Sequence, residues 1–583
     1  MSSTQQSDIA TGLPLSTLRS NVKSTDTNVH TAAIALGSNL GDRFYNIELA
    51  LRLLEAPQRC LAAEDIEACG GSHMFCKIVD TSFMYETAPM YFTDQPSFIN
   101  CACLVESNIP PVIFLRFLKY IESAVGRVPS VTNGPRAVDL DIVLYDEIIL
   151  DTRPISQRVN LDNLRGELVI PHPRLAEREF VLRPLDDMIP SFIHPIYRKS
   201  IRAMLEELPE EDPSMRKVVP FPRYPLLASD DPQSFPVPVG PRTLTYWTYS
   251  ITTNKRHKSA NKGRTQLMAT LNATPDSFSD GSTHNTLETA LGYARQSVRA
   301  GASIIDIGGY STKPGAAFVS SADEIDRILP IVNAIRNLDS NIGVDPTTDA
   351  RLRETPISID TFRSDVARAC IQAGANCIND VYAFTGFDAV YPPTEPDALK
   401  RAADSLAEMK AVAREFSVPV VLMHSRGDAG QNKEYGMYGD GDEQVIRGVQ
   451  IELGEKVERI VKGEGGVRRW MVIVDPGIGF SKTLEGNLEV LRGASRVVAD
   501  VELDASRRNP LRGYPLLIGP SRKSFLGAIL SQGEIGRETS PKERVWATAA
   551  AVACAVQQGA LVVRVHDTKE MVDVLSVAAA LWG

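Results

Sequence analysis

The chain has 583 residues, 43% apolar and 23% charged, with a net charge of -10. That length exceeds one ordinary domain and predicts two to four, at roughly 100–200 residues each, with the composition of a folded protein. The acidic balance excludes a general nucleic-acid or membrane-surface binder, and no apolar run reaches the roughly 18 residues of a transmembrane helix.

Residues 1–30 are rich in Ser and Thr and lack an apolar h-region, so they read as a disordered tail and not as a secretory signal. Arg19 and Lys23 are basic enough for a transit peptide, but Asp8 and Asp26 argue against one. None of the eight cysteines forms a C-x-x-C pair. They read as buried free thiols of a reducing compartment, with no disulfide or zinc framework.

Residues 31–210 mix strands and helices. "TAAIALG" (31–37), "SFMYET" (82–87) and "FINCACLVES" (98–107) read as strands. "NIELALRLLEA" (46–56) has helical apolar spacing, and "PPVIFLRFLKYIESAVGR" (110–127) opens on prolines as a helix does. Residues 59–78 look like an insertion. In "GPRAVDLDIVLYD" (134–146) two carboxylates, Asp139 and Asp141, interrupt an apolar strand. At i and i+2 they face the same way, which suits a solvated or metal-binding face. No Walker A loop is present, so a nucleotide site must be built otherwise.

Residues 211–262 are dominated by prolines, acids and then basic polar residues, and read as a linker. Within them "RTLTYWTYSITT" (242–253) alternates aromatic and polar residues, as a strand or hairpin does.

From 263 to 583 the pattern changes. Short apolar runs at 267–272, 303–308, 357–361, 376–380, 418–424, 471–475, 514–519 and 561–566 alternate with helical stretches. Such runs imply a parallel sheet, and eight of them a (β/α)₈ barrel with insertions near 337–354, 385–402 and 426–445. A doubly wound open sheet is the alternative. A barrel's site lies where its strands end, and the ends here carry Asn272, Asp360, Asn379, Asp475, Lys523, Arg564 and His566. Any one of these alone reads equally well as a cap or a structural ion pair; eight polar strand ends together favour a functional rim. Arg564 and His566, with Ser521, Arg522 and Lys523, suit an anion such as phosphate. Asp360, Asn379 and Asp475 suit a flat heterocycle with amino and lactam groups. Asn272 suits a metal-bound phosphate.

"LNATPDSFSDG", "GASIIDIGG", "STKPGAA", "SIDT", "IND", "DPGIGFSK", "SRKS" and "RVHD" occur in order across 263–583 and resemble dihydropteroate synthase. That resemblance implies a TIM barrel condensing para-aminobenzoate with 6-hydroxymethyl-dihydropterin diphosphate. It implies Asn272 as a magnesium ligand, and Asp360, Asn379, Asp475 and Lys523 around the pterin. Arg564 and His566 would bind diphosphate, with Thr312 and Ser521 near diphosphate and para-aminobenzoate. Lys313 stands where the family usually has arginine. A pterin-binding methyltransferase barrel shares part of the pattern but has no need of "TPDSFSDG", "SRKS" and "RVHD".

"LGSNLGDR" (36–43), "YETAPMYFTDQPSFIN" (85–100), "GPRAVDLDIVLYD" and "VIPHPRLAEREFVLRPL" (169–185) together resemble 6-hydroxymethyl-dihydropterin pyrophosphokinase, over about 32–200. This implies a ferredoxin-like α+β domain that uses ATP and two Mg²⁺ held by Asp139 and Asp141. Thr87, Ala88, Met90 and Asn100 would enclose the pterin, and Phe180 would stack on it. Arg127, Arg136, His172 and Arg178 would neutralise the triphosphate, and Glu122 would contact the nucleotide. Residues 128–133 lack the basic, tryptophan-containing loop of bacterial relatives, and Phe98 stands where a tyrosine is common.

The two resemblances are to consecutive steps of folate biosynthesis, fused as in eukaryotic microbes and plants. They imply a bifunctional transferase acting on small molecules, without nucleic-acid or membrane partners, cytoplasmic or mitochondrial, and a homodimer through its barrel. The family's three-module fungal forms carry an aldolase in front, for which no room is expected here. The alternative is that only the barrel is catalytic and the first unit is a weak pterin-binding or scaffolding module.

Overall fold

The computed structural model describes residues 29–90, 92–126, 134–159, 164, 166–208, 214–225, 240–251, 264–273, 287–311, 318–338, 345–386, 395–439, 441–504 and 507–582. Two compact units change over at Lys217/Val218.

In the first unit, strands His30–Ser38, Met84–Thr87, Phe98–Ser107 and Asp139–Tyr145 alternate with helices Arg43–Leu54 and Pro111–Val125. The spatial order of these strands places Asp139–Tyr145 at the edge, then His30–Ser38, Phe98–Ser107 and Met84–Thr87. Neighbours in this order pair antiparallel. This βαββαβ order is ferredoxin-like. Residues 59–78, expected as an insertion, hold the helix Ala63–Ala68 and lead into a further strand, Cys76–Thr81, on Phe98–Ser107. It ends "CKIVDT", whose alternating burial the surrounding polar, Gly-rich residues hide in the sequence.

The two sheet faces differ in side-chain size. One presents Ile34, Leu36 and Leu140, all buried, on the side of the two helices. The other presents Ala33, Ala35 and Gly37 beside Ala102. Small side chains let helix Glu179–Met188 approach, and its Leu182, Leu185 and Met188 join Ala33, Ala102, Leu104 and Val143 in one core. Where that helix starts, the row of small residues has no cover, and a hollow remains.

The second unit is a parallel eight-stranded sheet in the order expected from the chain, from Gln266–Asn272 to Val472–Asp475 on one side and through Val562–Val565 to Leu517–Ile518 on the other. Val474 bridges Leu516 in parallel, which closes the sheet into a barrel and excludes the open, doubly wound alternative. The expected insertion at 385–402 gives way at Pro396 to a helix, Pro396–Phe416, and 337–354 contains the helix Pro346–Glu354.

Two strands arise within the stretch expected as linker, Arg216–Pro222 and Thr243–Tyr249, and they pair. Val219, Phe221, Trp247 and Tyr249 pack under the barrel against Met268, Ile304, Cys377, Val421, Ile473, Leu517 and Val562. The Phe221 and Trp247 ring centroids are 4.4 Å apart. Phe221→Ala is expected to cost about 3–5 kcal/mol, read as a lower denaturant midpoint of the barrel's unfolding transition.

Each barrel-floor residue has a successor two positions on, facing the same interior. Ile304 leads to Asp306, Cys377 to Asn379, Ile473 to Asp475 and Val562 to Arg564. The apolar floor thus carries a polar layer directly above it.

Candidate active sites

The hollow of the first unit is a cleft with a cavity volume of about 120 Å³. Asp139 and Asp141 both line it, because Asp139 pairs with Gly37 and Asp141 with Ala35 on the small-residue face. Gly37 also pairs with Asn100. A Cβ on Gly37 would stand 2.8 Å from Asn100 Oδ1, so a side chain there would collide with Asn100. Of the other residues singled out in the sequence, Thr87, Ala88, Met90, Asn100, Arg136, His172, Arg178 and Phe180 line the same cleft. Thr87 Oγ1 accepts from Asn100 Nδ2 at 2.8 Å, and the Arg178 guanidinium lies 5.7 Å from the Phe180 ring centroid.

Arg136 pairs with Asp139 at 2.8 Å. Burial lowers His172 below the usual imidazole range; Asp141 opposes this and Arg178 adds to it. The Arg174 N–H donates to His172 Nδ1 at 3.3 Å, so the neutral ring carries its proton on Nε2.

Glu122 is placed elsewhere. It is 1% exposed, and its Oε1 accepts the Leu140 N–H at 2.9 Å behind the strand. It does not line this cleft, and it supports the strand that carries the two aspartates. Arg127 and the loop 128–133 lie outside the described residues.

One residue of this cleft and a buried one that supports it escaped the sequence reading. Gln95 lines it. Asn39 donates to Gln95 Oε1 at 2.9 Å and Pro96 O at 3.1 Å, and accepts the Arg136 N–H at 2.9 Å. It ties together the segments bearing Gln95 and Arg136, which are remote in sequence. Only its place inside "LGSNLGDR" hinted at this.

In the barrel, Asn272, Gly308, Asp360 and Asn379 are neighbours in register across four strands. The Arg564 guanidinium donates to Asp306 Oδ2 and Asp360 Oδ2, both at 2.6 Å. Asn379 Nδ2 also reaches Asp306 Oδ2 at 3.1 Å. Asp306 is fully buried and was missed; the signal was there, a carboxylate inside the apolar run "SIIDIG", as in the first unit. Arg564 is part-buried, yet Asp306 and Asp360 outweigh the loss of solvent and hold it above the usual guanidinium range. Burial pushes Asp360 up to about 7, against the pull of Arg564, and Asp475 up to about 6, against the Gly477 N–H and Lys523.

Ser521 and His566 meet: the His566 N–H donates to Ser521 Oγ at 3.2 Å, and the ring's Nδ1 lies 3.0 Å from the same oxygen. Lys523 Nζ sits 4.3 Å from the Phe480 ring centroid. Arg522, expected on the anion side, is instead paired with Asp567, with Nε to Oδ2 at 3.0 Å. Thr312 and Lys313 lie outside the described residues. Among the described residues all eight cysteines are free, seven of them buried.

The chain was compared with known proteins. A family described as pterin binding enzyme matches residues 268–566. The family of 7,8-dihydro-6-hydroxymethylpterin-pyrophosphokinase matches residues 33–190. The folate synthesis bifunctional protein, mitochondrial, of Arabidopsis thaliana is 33% identical over 564 residues, covering 95% of this chain and 83% of that protein. The folic acid synthesis protein fol1 of Schizosaccharomyces pombe is 34% identical over 553 residues, but the chain spans only 59% of its length. A crystal structure of Plasmodium falciparum HPPK-DHPS, a triple mutant with pteroate, shares the fold with a TM-score of 0.65 at 18% identity, over 95% of each chain.

Proposed function

We propose that this chain, which belongs to the pterin-binding enzyme family and to that of the bifunctional folate synthesis proteins, catalyses two consecutive transfers. The first unit moves the terminal diphosphate of ATP to the hydroxymethyl of dihydropterin. The barrel then joins the pterin methylene to para-aminobenzoate. The observation that carries this reading is a pair of carboxylate-bearing clusters of different design. One has two carboxylates on an open sheet face; the other has carboxylates, an amide and a guanidinium inside a barrel.

In the cleft, the pterin hydroxyl oxygen attacks the β-phosphorus, the bond from that phosphorus to the α-phosphate oxygen breaks, and AMP leaves. Such transfer needs positioning and charge neutralisation rather than a covalent nucleophile. Arg136, Arg178 and, outside the described residues, Arg127 neutralise the phosphates. His172, neutral at physiological pH, donates from Nε2. Thr87, Asn100 and the backbone near Ala88 and Met90 hold the pterin, with Phe180 against its ring. Asp139 and Asp141 fit Mg²⁺: both are hard oxygen donors on one wall, and this metal takes few protein ligands beside phosphate oxygens. When bound it would supply charge neutralisation to the phosphates.

In the barrel, the pterin C–O bond breaks, diphosphate leaves, and the aromatic amine nitrogen bonds to the methylene and loses a proton. Asp360, Asn379, Asp475 and Lys523 hold the ring. Arg564, His566 and Ser521 face the leaving diphosphate; Thr312, given the same role, lies outside the described residues. Asn272 offers a carbonyl oxygen to Mg²⁺. An acceptor toward ring N–H groups must be ionised, and Asp475 is ionised above about 6. The KM for the pterin diphosphate is therefore expected to climb as pH falls below that value, and Asp475→Asn should flatten the profile.

The test of the whole reading is a coupled assay on the intact chain with ATP, Mg²⁺, hydroxymethyl-dihydropterin and para-aminobenzoate. Dihydropteroate and AMP should appear together; absence of AMP sinks the kinase half.

The barrel also supports a homodimer. Trp546, Val577 and Leu581 on helices Val545–Gln557 and Thr568–Trp582 are 79%, 60% and 66% exposed, and these two helices pack side by side. Trp546→Asp should shift the elution of the chain to the monomer position. Among the described residues no helix is long and apolar enough to cross a membrane, and the proposed compartment is the cytoplasm or the mitochondrion, which fractionation would decide.

A further inference from the structure

The turn "DPGIGFSK" (475–482) that carries Asp475 is held from beneath by buried charges with no part in the chemistry above. The turn closes on itself: Asp475 Oδ1 accepts the Gly477 N–H at 2.7 Å, and the Asp475 carbonyl accepts the His424 N–H at 2.8 Å. Gly477 has φ +73, and a Cβ on it would stand 2.1 Å from the His424 carbonyl oxygen. Only glycine permits both the conformation and the approach. Further along, the Gly479 N–H donates to Asn487 Oδ1 at 2.6 Å. A Cβ on Gly479 would meet Lys523 Cδ at 2.8 Å, so turn and lysine are packed in direct contact.

Lys482 lies under this turn, 4% exposed. Its Nζ reaches Gly477 O at 3.1 Å, Phe480 O at 3.2 Å and His424 Nδ1 at 3.1 Å. An ammonium has three protons and no acceptor, and all three have a target here. Since His424 Nδ1 accepts, its ring proton is on Nε2, which faces Glu452 Oε2 at 3.1 Å. Glu452 is held in turn by Arg426 Nε at 3.0 Å and by the Tyr438 hydroxyl at 2.6 Å. Burial pushes His424 down to about 4, with Lys482 adding to it, so the ring is a neutral spacer between an anion and a cation. The chain Arg426–Glu452–His424–Lys482 therefore ends on two carbonyls. One belongs to the residue whose N–H fixes Asp475. The other belongs to Phe480, the ring beneath Lys523.

We infer that Lys482, oriented by His424 and Glu452, is a positioning residue that sets where Asp475 and Lys523 stand against the pterin ring. This rests on the reading that Asp475 and Lys523 hold that ring. Without Lys482, the Phe480 carbonyl loses this donor, the Gly477 carbonyl keeps only the Phe480 N–H at 3.1 Å, and the turn is free to shift. A displacement of about 1 Å at reacting groups can cost roughly 10²-fold.

The test uses the intact chain at about pH 6.5, below the value of about 7 to which burial lowers Lys482. Lys482→Met keeps the length and removes the charge. It should raise the KM for the pterin diphosphate about 10-fold or more, with the KM for para-aminobenzoate and the thermal midpoint near wild type. Asp475→Asn should raise the same KM. If it does and Lys482→Met leaves that KM unchanged, the inference is overturned and the pocket reading stands. If Asp475→Asn leaves it unchanged, the pocket reading itself fails. Should Lys482→Met not fold, His424→Gln replaces it. That variant's terminal amide keeps an N–H for Glu452 but leaves no acceptor at the Nδ1 position that faces Lys482, and should raise the KM about 3-fold or more; an unchanged KM overturns the inference.

Discussion

Replacing Asp141 with alanine is expected to cut AMP release by about 10³-fold or more, since charge stabilisation by a bound metal is worth several kcal/mol and each tenfold is about 1.4 kcal/mol. Dihydropteroate formation from supplied pterin diphosphate should not change, because the barrel is a separate compact unit. Asp141 is a sharper target than Asp139, whose carboxylate is already paired with Arg136 at 2.8 Å. At Asp139 a lost metal ligand and a freed arginine would be confounded. The fold should survive, since both aspartates are part-exposed at the cleft and the strand's core contacts come from Leu140, Ile142, Val143 and Leu144. The measurement is AMP release from ATP beside a separate condensation assay. Loss of both activities together would mean that the pair is structural.

Lys523→Ala is the matching test of the barrel. Losing one preorganised charged donor in a water-poor pocket costs roughly 10²–10³-fold, so dihydropteroate formation should fall by at least about 10²-fold while AMP release stays at the wild-type rate. The Lys523 backbone follows a residue fixed twice, independently of the lysine side chain: the Arg522 N–H donates to Thr548 Oγ1 at 3.0 Å, and Arg544 donates to the Arg522 carbonyl at 3.1 Å. Truncation should therefore remove the ammonium without moving the strand end. A variant with full condensation activity would remove Lys523 from the site.

Much of this was legible in residue order because it depends on local pattern. Eight apolar runs, each ending in polar residues, announced the barrel and its rim, since strand alternation and chain direction require nothing distant. Asp139 and Asp141 stood out because two carboxylates on an apolar strand demand an explanation. Glu122 could not be placed this way. Its helical position is equally consistent with a ligand contact and with the buried acceptor for Leu140 that it is. The strand Cys76–Thr81 was hidden by polar flanks, and Arg216–Pro222 by a proline-rich setting. Both are strands because a partner edge and a barrel floor supply their hydrogen bonds and burial.

The sequence alone determined the two units, their order, the barrel, and most of the polar residues that the structure gathers in the first cleft and at the barrel's strand ends, because repeat pattern and strand parity are properties of the chain itself. Only the tertiary structure decided who holds whom. Arg564 is gripped by Asp306 and Asp360, which lie more than 200 residues away. Asn39 ties Gln95 to Arg136, and Lys482 reaches Glu452 through His424. Such pairings join elements remote in sequence, and they are settled by burial, which makes a charge without a partner too costly to keep.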